Sequence, residues 1–400
     1  MSLIEVKLRP TGPWRAGHDA GDRERVDVVY HSDSLYSAVT QAMRALGWLE
    51  EWLDATARST AEPAVRFSSL FPFVGRTRLV APPKSVWPPA NSGKLFLQGA
   101  KLVPLEIVKS GVVEESRWAV DGESECLLPM GVSAPFRVSV RTAAAVDRLT
   151  GTSEAHRTAC VEFAPNAGLW GVMSISDAAW EPRVKSAIRL LADSGFGGER
   201  SRGWGRSSEP QFSEAAHLFA NTGAEGMCWL LSFYSPHEND AVDWSRGEYS
   251  AVVRGGWTDS PAGAGAKKSV RLIEEGSVLG ATSLTGRAVD VAPEGFPHPV
   301  YRSGFAFFMP APTEILVRNQ AKQQPVAPVL AAAVEAPAEP DTVIEPEVVT
   351  EPPVVVAPEP EPELEPEPVV VETESVAAVE TPEPENTVTP EETAPAEVAE

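Results

Sequence analysis

The strongest chemical signal in the sequence is a short segment that combines glycines with arginines. Residues 195–206 read GFGGERSRGWGR, with five glycines and three arginines. Glycine lets a backbone approach a ligand closely because no Cβ atom intervenes, and a guanidinium presents forked donors that match phosphate oxygens. The segment therefore predicts a loop that clamps a sugar-phosphate backbone.

The surroundings of this segment exclude a nucleotide-binding P-loop. No Gly-Lys-Ser/Thr follows the glycines, and the predicted order is helix, loop, strand, whereas a P-loop joins a strand to a helix. The preceding helix points its negative C-terminal end at the loop, so Arg200, Arg202 and Arg206 must supply the attraction for an anion. The alternative is a glycine-rich turn with solvated arginines, because a single glycine-rich loop is a weak signature.

A second segment, His31-Ser32-Asp33, places a histidine beside a carboxylate and suggests a general base. The simpler interpretation is that Ser32 and Asp33 cap a helix while His31 is a loop residue. The other five histidines form no spaced cluster, and the carboxylates outside the C-terminal tail form no metal-binding run. We therefore predict no catalytic residue, no metal site and no cofactor.

Two basic stretches predict further contacts with unpaired nucleotides. Residues 64–109 carry seven basic side chains against one acid, and residues 129–163 suggest a hairpin-like arm with arginines along it. Aromatic residues lie among these cations, an arrangement that suits stacking on bases: Trp87, Phe96, Trp118 and Phe136. The alternative for either stretch is a solvated charged face.

The elements that position these residues follow from periodicity. Alternation over residues 3–9 predicts a half-buried strand, and the stripe from Leu35 to Leu46 predicts a helix that Gly47 ends. Residues 169–175 predict a buried strand, and Pro182 opens a second helix with its own apolar stripe. The order strand, helix, strands, helix, strand is that of a ferredoxin-like (RRM-like) unit.

Beyond residue 220 a second β-rich region begins, and we predict a degenerate second unit of the same class. The predicted fold is α+β, with two ferredoxin-like domains, the glycine-rich loop and a hairpin. The predicted boundaries are 1–218, 219–318 and a disordered tail over 319–400. All eleven tryptophans and fourteen phenylalanines precede the tail, which supplies apolar side chains for two modest cores.

Residues 321–400 cannot form a core, since they hold 20 acidic residues, one basic residue, 16 of the 37 prolines and no aromatic. The alternating Glu-Pro stretch at 358–368 favours an extended polyproline II conformation, in a solubilising or self-masking appendage. The preceding residues hold 33 Lys and Arg against 36 Asp and Glu, so the net charge of −22 describes the tail and does not argue against a polyanionic partner.

Three widely separated cysteines and the lack of a signal-like start or a long apolar run predict a cytoplasmic protein without disulfides or membrane spans.

Five segments in order resemble the RAMP superfamily, and more closely the fourth-subunit family of the Csm (type III-A CRISPR) interference complex. They are HSDSLYSA at 31–38, FSSLFPF at 67–73 followed by PPK at 82–84, VDRLTG at 146–151, the glycine-rich segment at 195–206 and PVYRSGF at 299–305. Each is weak singly, but together they span residues 1 to about 310 with suitable spacing. The acidic tail departs from the family pattern.

The resemblance implies a non-catalytic scaffold that binds the repeat-derived 5′ tag of a CRISPR guide RNA (crRNA). It implies a β-hairpin thumb that wedges between guide nucleotides, and docking to a large polymerase-palm subunit and a backbone RAMP subunit. The RNA-binding residues carried over by position are Gly197, Gly198, Arg200, Ser201, Arg202, Gly203 and Arg206 in the loop, His31 and Ser32 at the first helix, Arg137, Arg141 and Arg148 in the thumb, and Lys84.

Two alternatives within the superfamily stay open at this point. One is a metal-independent endoribonuclease that cuts precursor guide RNA with His31 as its general base. The other is a repeated backbone subunit in which Asp33 or Asp147 cleaves bound target RNA. The two-domain length favours the scaffold.

Overall fold

A computed structural model of the chain describes residues 1–17, 23–59, 62–90, 99–219, 225–258 and 263–318. The predicted acidic tail, together with Lys94 and Phe96, lies outside the described residues. Within these ranges no helix has the length and apolar character needed to cross a membrane.

The secondary structure is mixed, which confirms the predicted α+β class. The α-helices are α1 (Ser32–Ala45), α2 (Leu49–Ala55), α3 (Leu105–Ser110) and α4 (Trp180–Ser194). The strands up to α4 are β1 (Ser2–Leu8), β2 (Val65–Phe67), β3 (Phe71–Val74), β4 (Thr77–Val80), β5 (Val103–Pro104), β6 (Val112–Glu114), β7 (Trp118–Val120), β8 (Leu127–Pro129), β9 (Phe136–Val146), β10 (Ser153–Phe163) and β11 (Ala167–Ile175). The later strands are β12 (Gln211–Glu214), β13 (Met227–Leu230), β14 (Asp243–Glu248), β15 (Ala251–Arg254), β16 (Val270–Ile273), β17 (Val278–Gly280), β18 (Gly286–Asp290), β19 (Tyr301–Phe305), β20 (Phe308–Pro310) and β21 (Leu316–Arg318).

The main sheet has the strand order β12-β1-β11-β3-β4-β5, and β2 also pairs with β11. The pairings from β12 to β4 are antiparallel, with α1 between β1 and β2 and α4 between β11 and β12. The N-terminal part thus has the arrangement of a βαββαβ unit in which the first and third strands are neighbours.

Amphipathic stripes explain how the two long helices cover one face of this sheet. In α4, Val184, Ala187, Ile188 and Leu191 are all buried, as their spacing predicts. The predicted stripe of α1 is buried in the same cluster as alternate β1 residues, and Gly47 follows the helix with φ +80°.

The opposite face of the sheet is also covered, so the prediction of a half-buried β1 is wrong. Glu5, expected in solvent, is 2% exposed and accepts two hydrogen bonds from Arg78, at 2.6 and 2.9 Å. Every residue of β11 is buried. The covering residues include Trp229 and Phe307, which come from beyond the predicted domain boundary.

The C-terminal region differs from the predicted second unit. Its strands form a sheet of order β14-β17-β13-β20 and the hairpins β15–β16 and β18–β19. Over residues 225–258 and 263–318 no α-helix is present, so a second ferredoxin-like unit is not confirmed. The boundary near residue 218 stays a prediction, because one hydrophobic cluster contains residues from both sides of it.

Candidate nucleic-acid interface

The glycine-rich loop follows α4 and folds tightly upon itself. Gly205 has φ +77°, and a Cβ atom there would lie 2.0 Å from the carbonyl oxygen of Phe196. Gly197 has φ +72°, and a Cβ atom there would lie 2.2 Å from the carbonyl oxygen of Arg15. Side chains would clash at both positions and would strain the backbone, so glycine is needed to close the loop.

Buried aromatic residues support the loop from beneath. Phe196 stacks on Trp14 with ring centroids 5.2 Å apart and meets Tyr30 edge-on at 5.8 Å. The indole nitrogen of Trp14 donates to the carbonyl oxygen of Arg206 at 3.2 Å. Burial raises the pKa of Tyr30, so its hydroxyl stays protonated. The loop is therefore a fixed platform.

The polar side chains of this platform face solvent. Arg200, Ser201 and Arg202 form one 3-10 turn, and all three are exposed, as is Arg206. Nε of Arg202 lies 3.2 Å from a carboxylate oxygen of Glu199. Arg200 and Arg206 have no carboxylate within ion-pair distance in the part of the chain that the structure describes. The structure thus brings together the predicted cations on one accessible loop.

The three predicted glycines of the loop share this surface. Gly197 is exposed, and Gly198 and Gly203 are partly exposed. The amide of Gly198 donates to the carbonyl oxygen of Arg15 at 2.9 Å, so the segment around residue 15 forms one wall of the loop. Sequence reasoning missed this wall, because no local pattern indicates a contact across more than 180 positions.

The predicted hairpin arm is confirmed. Strands β9 and β10 pair from Phe136 opposite Phe163 to Val146 opposite Ser153. At the tip, the Asp147 carboxylate accepts the amides of Leu149 and Thr150, and these bonds lower the pKa of Asp147.

The three predicted arginines of the hairpin lie in two places. Arg137 and Arg141 both bind the Glu162 carboxylate across the ladder and remain 67% and 56% exposed. Arg148 is exposed in the tip, and Leu149 beside it is 97% exposed. The tip is therefore the part of the hairpin most accessible to a ligand.

Comparison with known proteins identifies the C-terminal region. Residues 224–311 match the family model described as the CRISPR Csm4 C-terminal domain. Residues 224–311 are thus similar to a Csm4 C-terminal domain. This match confirms the resemblance to the RAMP superfamily and to the fourth-subunit family of the Csm complex. No curated protein sequence matches the chain.

Solved structures that carry the name Csm4 in their descriptions are similar to the chain. One comes from a "Csm3-Csm4 subcomplex in the type III-A CRISPR-Cas interference complex", at 14% identity and a TM-score of 0.51, over 78% of this chain and 99% of that chain. Two come from a "Csm1-Csm4 cassette", with pppApA or cA4, each at 20% identity over 78% of this chain and 98% of theirs, with TM-scores of 0.48 and 0.49. At this identity, the first shows likeness of fold alone.

Ser32 connects α1 to the C-terminal region and lies in the interior. It is 3% exposed, its hydroxyl accepts the Phe233 amide at 2.9 Å, and its own amide donates to the Ser69 hydroxyl at 2.8 Å. The predicted capping role of Ser32 is wrong, because α1 begins after His31 without a side-chain cap. An RNA contact by Ser32 is also not possible in this conformation.

His31 is held between two carboxylates. Its Nδ1 lies 3.0 Å from Glu275, its Nε2 lies 3.6 Å from Asp27, and its ring stacks on Phe233 at 4.5 Å. Burial opposes the charged imidazolium, but Glu275 and Asp27 outweigh it and raise the pKa of His31 to about 10. The ring is thus an ion-paired cation whose side chain is 19% exposed, and its contact with RNA stays a prediction.

Asp33 forms the second part of this interior cluster. Its side chain is fully buried and pairs with Arg254 at 3.2 Å and with Arg302, both in the C-terminal region. Burial alone raises the pKa of a carboxyl, but the two guanidinium groups outweigh burial and lower the pKa of Asp33. We call His31, Asp33, Glu275, Arg254 and Arg302 the interior charge cluster.

Lys84 is also a link to the C-terminal region. Its ammonium group binds the Glu274 carboxylate and the Ser250 hydroxyl, and its amide donates to the Gly276 carbonyl oxygen at 2.9 Å. These contacts give Lys84 a structural role, while its side chain remains 27% exposed and its contact with RNA stays a prediction.

The basic stretch at 64–109 is not an irregular basic surface. It contributes β2 to β5 and α3, and most of its described cations bind partners within the chain: Arg66 with Glu62, Arg78 with Glu5, Lys84 with Glu274, Lys101 with Glu125, and Lys109 with the His217 carbonyl. The predicted stacking residues Trp87, Trp118 and Phe136 are at most 8% exposed, because they fill the core.

Among the described residues, no group of three or more histidine, cysteine or acidic side chains is arranged to hold a metal ion.

Proposed function

We propose that this chain is a non-catalytic RNA-binding subunit of a type III-A CRISPR effector complex and takes part in crRNA-guided antiviral defence. The observation that carries the proposal is the match of residues 224–311 to the CRISPR Csm4 C-terminal domain. The exposed glycine-rich loop adds a surface with the chemistry that such a role requires.

The loop binds the sugar-phosphate backbone of the repeat-derived 5′ tag. Arg200 and Arg206 have no carboxylate partner within the described residues, so neither charge must break an ion pair before it meets a phosphate. Arg202 must give up its exposed ion pair with Glu199 to bind a phosphate, and the loss of such a pair costs little free energy. Because the loop is already fixed by its glycines and by Phe196, little ordering entropy is lost when RNA binds.

The β9–β10 hairpin acts as the thumb that enters between guide nucleotides. Its tip presents Arg148 for a phosphate and Leu149 for an unstacked base edge. On the strand below, Val138, Val140 and Val146 point to one side and are 49%, 52% and 62% exposed. Apolar side chains left in solvent on a long hairpin are typical of a surface that is covered in a complex.

The same proposal gives the chain two protein partners, a large polymerase-palm subunit and a backbone RAMP subunit. The family resemblance supports both. The solved structure with a similar fold that is described as a Csm3-Csm4 subcomplex makes a backbone partner the natural first candidate.

The proposal assigns no reaction to the chain. A general base needs an unprotonated nitrogen, and the raised pKa keeps the His31 imidazole charged at neutral pH. Asp33 is enclosed by two arginines, and Asp147 is engaged by backbone amides. Incubation of the chain with precursor guide RNA in EDTA tests this assignment, since specific cleavage lost in His31→Ala would establish an endoribonuclease instead.

The experiment on the loop is a double variant, Arg200→Ala with Arg202→Ala, titrated with tagged guide RNA at several salt concentrations. We expect at least about tenfold weaker binding and a logarithmic salt dependence shallower by about 1 to 2, because up to two phosphate contacts are lost. The matched control is Lys101→Ala with Arg117→Ala, which removes two exposed, ion-paired charges elsewhere.

Equal affinity and equal salt slope in the loop variant and the control would remove the loop from the RNA-binding surface. Untagged RNA of the same length provides a further comparison, since loss confined to the tagged RNA ties the loop to the 5′ tag.

A further inference from the structure

A short extended segment, residues 13–16, lies between the β9–β10 hairpin and the glycine-rich loop, and we call it the bridging segment. On the hairpin side, the amide of Trp14 donates to the carbonyl oxygen of Val161 at 2.9 Å, and the amide of Val161 donates back at 2.8 Å. On the loop side, the Pro13 carbonyl oxygen accepts the Gly205 amide at 2.9 Å. The bridging segment therefore has one partner along each edge.

The bonds to the two partners alternate along the bridging segment. The carbonyl oxygens of Pro13 and Arg15 accept amides of the loop, whereas the amide and carbonyl of Trp14 bind β10. An extended chain directs the backbone groups of successive residues to opposite sides, so three residues can bind two neighbours at once. The bridging segment thus acts as a strand between the hairpin and the loop.

The Arg15 side chain strengthens this connection. Its Nη1 donates to the carbonyl oxygen of Ala159 in β10 at 2.8 Å and to that of Arg23 at 2.9 Å. Its stem lies against the loop, since a Cβ atom added at Gly198 would be 3.3 Å from the Cδ atom of Arg15. One side chain therefore contacts the hairpin with its guanidinium and the loop with its methylene groups.

We infer that the bridging segment couples the loop to the hairpin, with Arg15 as a positioning residue, so that both contact one RNA strand as a single preset unit. The inference deepens the proposed RNA-binding function and rests on it. Two contacts held at a fixed separation bind one strand with a high effective concentration, and this concentration falls when the contacts move independently. Arg15 acts through the loop and the hairpin and is given no RNA contact of its own.

The first test measures the coupling in the full chain without RNA. Nitroxide labels on Leu149→Cys at the hairpin tip and Ser201→Cys in the loop report their separation by pulsed electron paramagnetic resonance. The three native cysteines are buried, which directs the labels to the introduced ones. We expect one narrow distance distribution, and a broader one when Arg15→Met is added, because methionine keeps an unbranched stem but has no hydrogen-bond donor.

Arg66→Met is the matched control for this measurement. Arg66 is also a partly exposed arginine that donates to a backbone carbonyl oxygen, that of Leu284 at 3.1 Å, but it belongs to neither the loop, the hairpin nor the bridging segment. Its substitution should leave the distance distribution unchanged. A distribution that stays narrow in Arg15→Met, or that broadens equally in Arg66→Met, would overturn the coupling.

The second test measures the coupling through RNA affinity. Substitution of the hairpin tip, Arg148→Ala with Leu149→Ala, should weaken binding of tagged guide RNA about tenfold in the wild type and about threefold or less beside Arg15→Met. Only the ratio of affinities with and without the tip substitutions is compared, so a uniform loss caused by Arg15→Met cancels. Adding Trp14→Phe, which removes the indole donor to the Arg206 carbonyl oxygen, should reduce the ratio further.

The outcomes separate this inference from the proposed function. Tip substitutions that have no effect in the wild type would remove the hairpin from the RNA-binding surface and overturn both. A ratio that is above one and equal in the wild type and in Arg15→Met would keep the hairpin as an RNA contact and overturn the coupling alone.

Discussion

Two groups of arginines in this protein have opposite surroundings. In the glycine-rich loop, Arg200 and Arg206 are exposed and have no carboxylate partner within the described residues. In the interior charge cluster, Arg254 and Arg302 are 5% and 9% exposed and enclose Asp33. The residue type is the same, so burial and pairing distinguish a charge that is accessible to a ligand from a structural one.

The difference has an energetic cause. A buried ion pair gains strong Coulomb attraction but must also offset the desolvation of both charges, whereas an exposed guanidinium keeps its hydration until a ligand arrives. Removing one member of the interior cluster leaves buried charge with less compensation. Removing a loop arginine changes only the surface.

The largest expected effect comes from breaking the interior cluster. Asp33→Ala removes the carboxylate that Arg302 and Arg254 share, although Arg254 keeps Asp27 at 4.0 Å, and we expect it to lower the free energy of unfolding by about 3–5 kcal/mol. Urea denaturation followed by tryptophan fluorescence measures the change. Arg202→Ala, which loses only an exposed pair, should cost less than about 1 kcal/mol.

Asp54→Ala is a second control, since Asp54 is 68% exposed and pairs with Arg58 at 3.0 Å. If Asp33→Ala proved as mild as Arg202→Ala, the contrast between the two regions would be lost.

A smaller effect should appear in the pH dependence of stability. The pKa of His31 is raised to about 10 by Glu275 and Asp27 in the folded chain, against about 6.5 in an unfolded one. The folded state therefore binds the proton more tightly, and the stabilisation is complete below the unfolded pKa and is lost as pH rises through about 10.

Urea titrations between about pH 7 and about pH 10 test this sign. The free energy of unfolding should fall with rising pH more steeply in the wild type than in His31→Gln, which cannot titrate there. Parallel slopes would mean that the imidazole is not charged in the folded protein. The affinity of the glycine-rich loop for RNA should not show this pH dependence, because its arginine side chains stay charged over the whole range.

Sequence reasoning predicted the parts of the molecule that local patterns determine. The stripe of α4, the buried β11 and the hairpin follow from periodicity, and the exposed arginines follow from a glycine-rich segment. Partners distant in sequence could not be predicted. Asp33 meets Arg302 across 269 positions and Ser69 meets Glu275 across 206, and no local signal marks either contact.

The same limit explains the errors about the basic stretch. Charges at Arg78 and Lys84 look like a nucleic-acid surface until the carboxylates of Glu5 and Glu274 are brought beside them. The sequence gives the number of charged residues, whereas only the folded structure shows which of these residues form ion pairs. The sequence around Arg200 does indicate exposure, because the flanking glycines favour an exposed turn. The sequence around Arg78 contains no such signal.

A final contrast separates two glycines within the loop itself. Gly203 and Gly205 both have positive φ, +81° and +77°, so alanine strains the backbone at either position by about 1–2 kcal/mol. Only at Gly205 would the added Cβ atom also meet the backbone of Phe196, since nothing lies within 4 Å of it at Gly203. Gly205→Ala should therefore lower both the unfolding free energy and the affinity for tagged RNA more than Gly203→Ala does. The backbone strain is common to both variants, so the difference between them measures the close packing of Gly205 against Phe196. Equal losses of unfolding free energy and of RNA affinity in the two variants would show that this packing is dispensable.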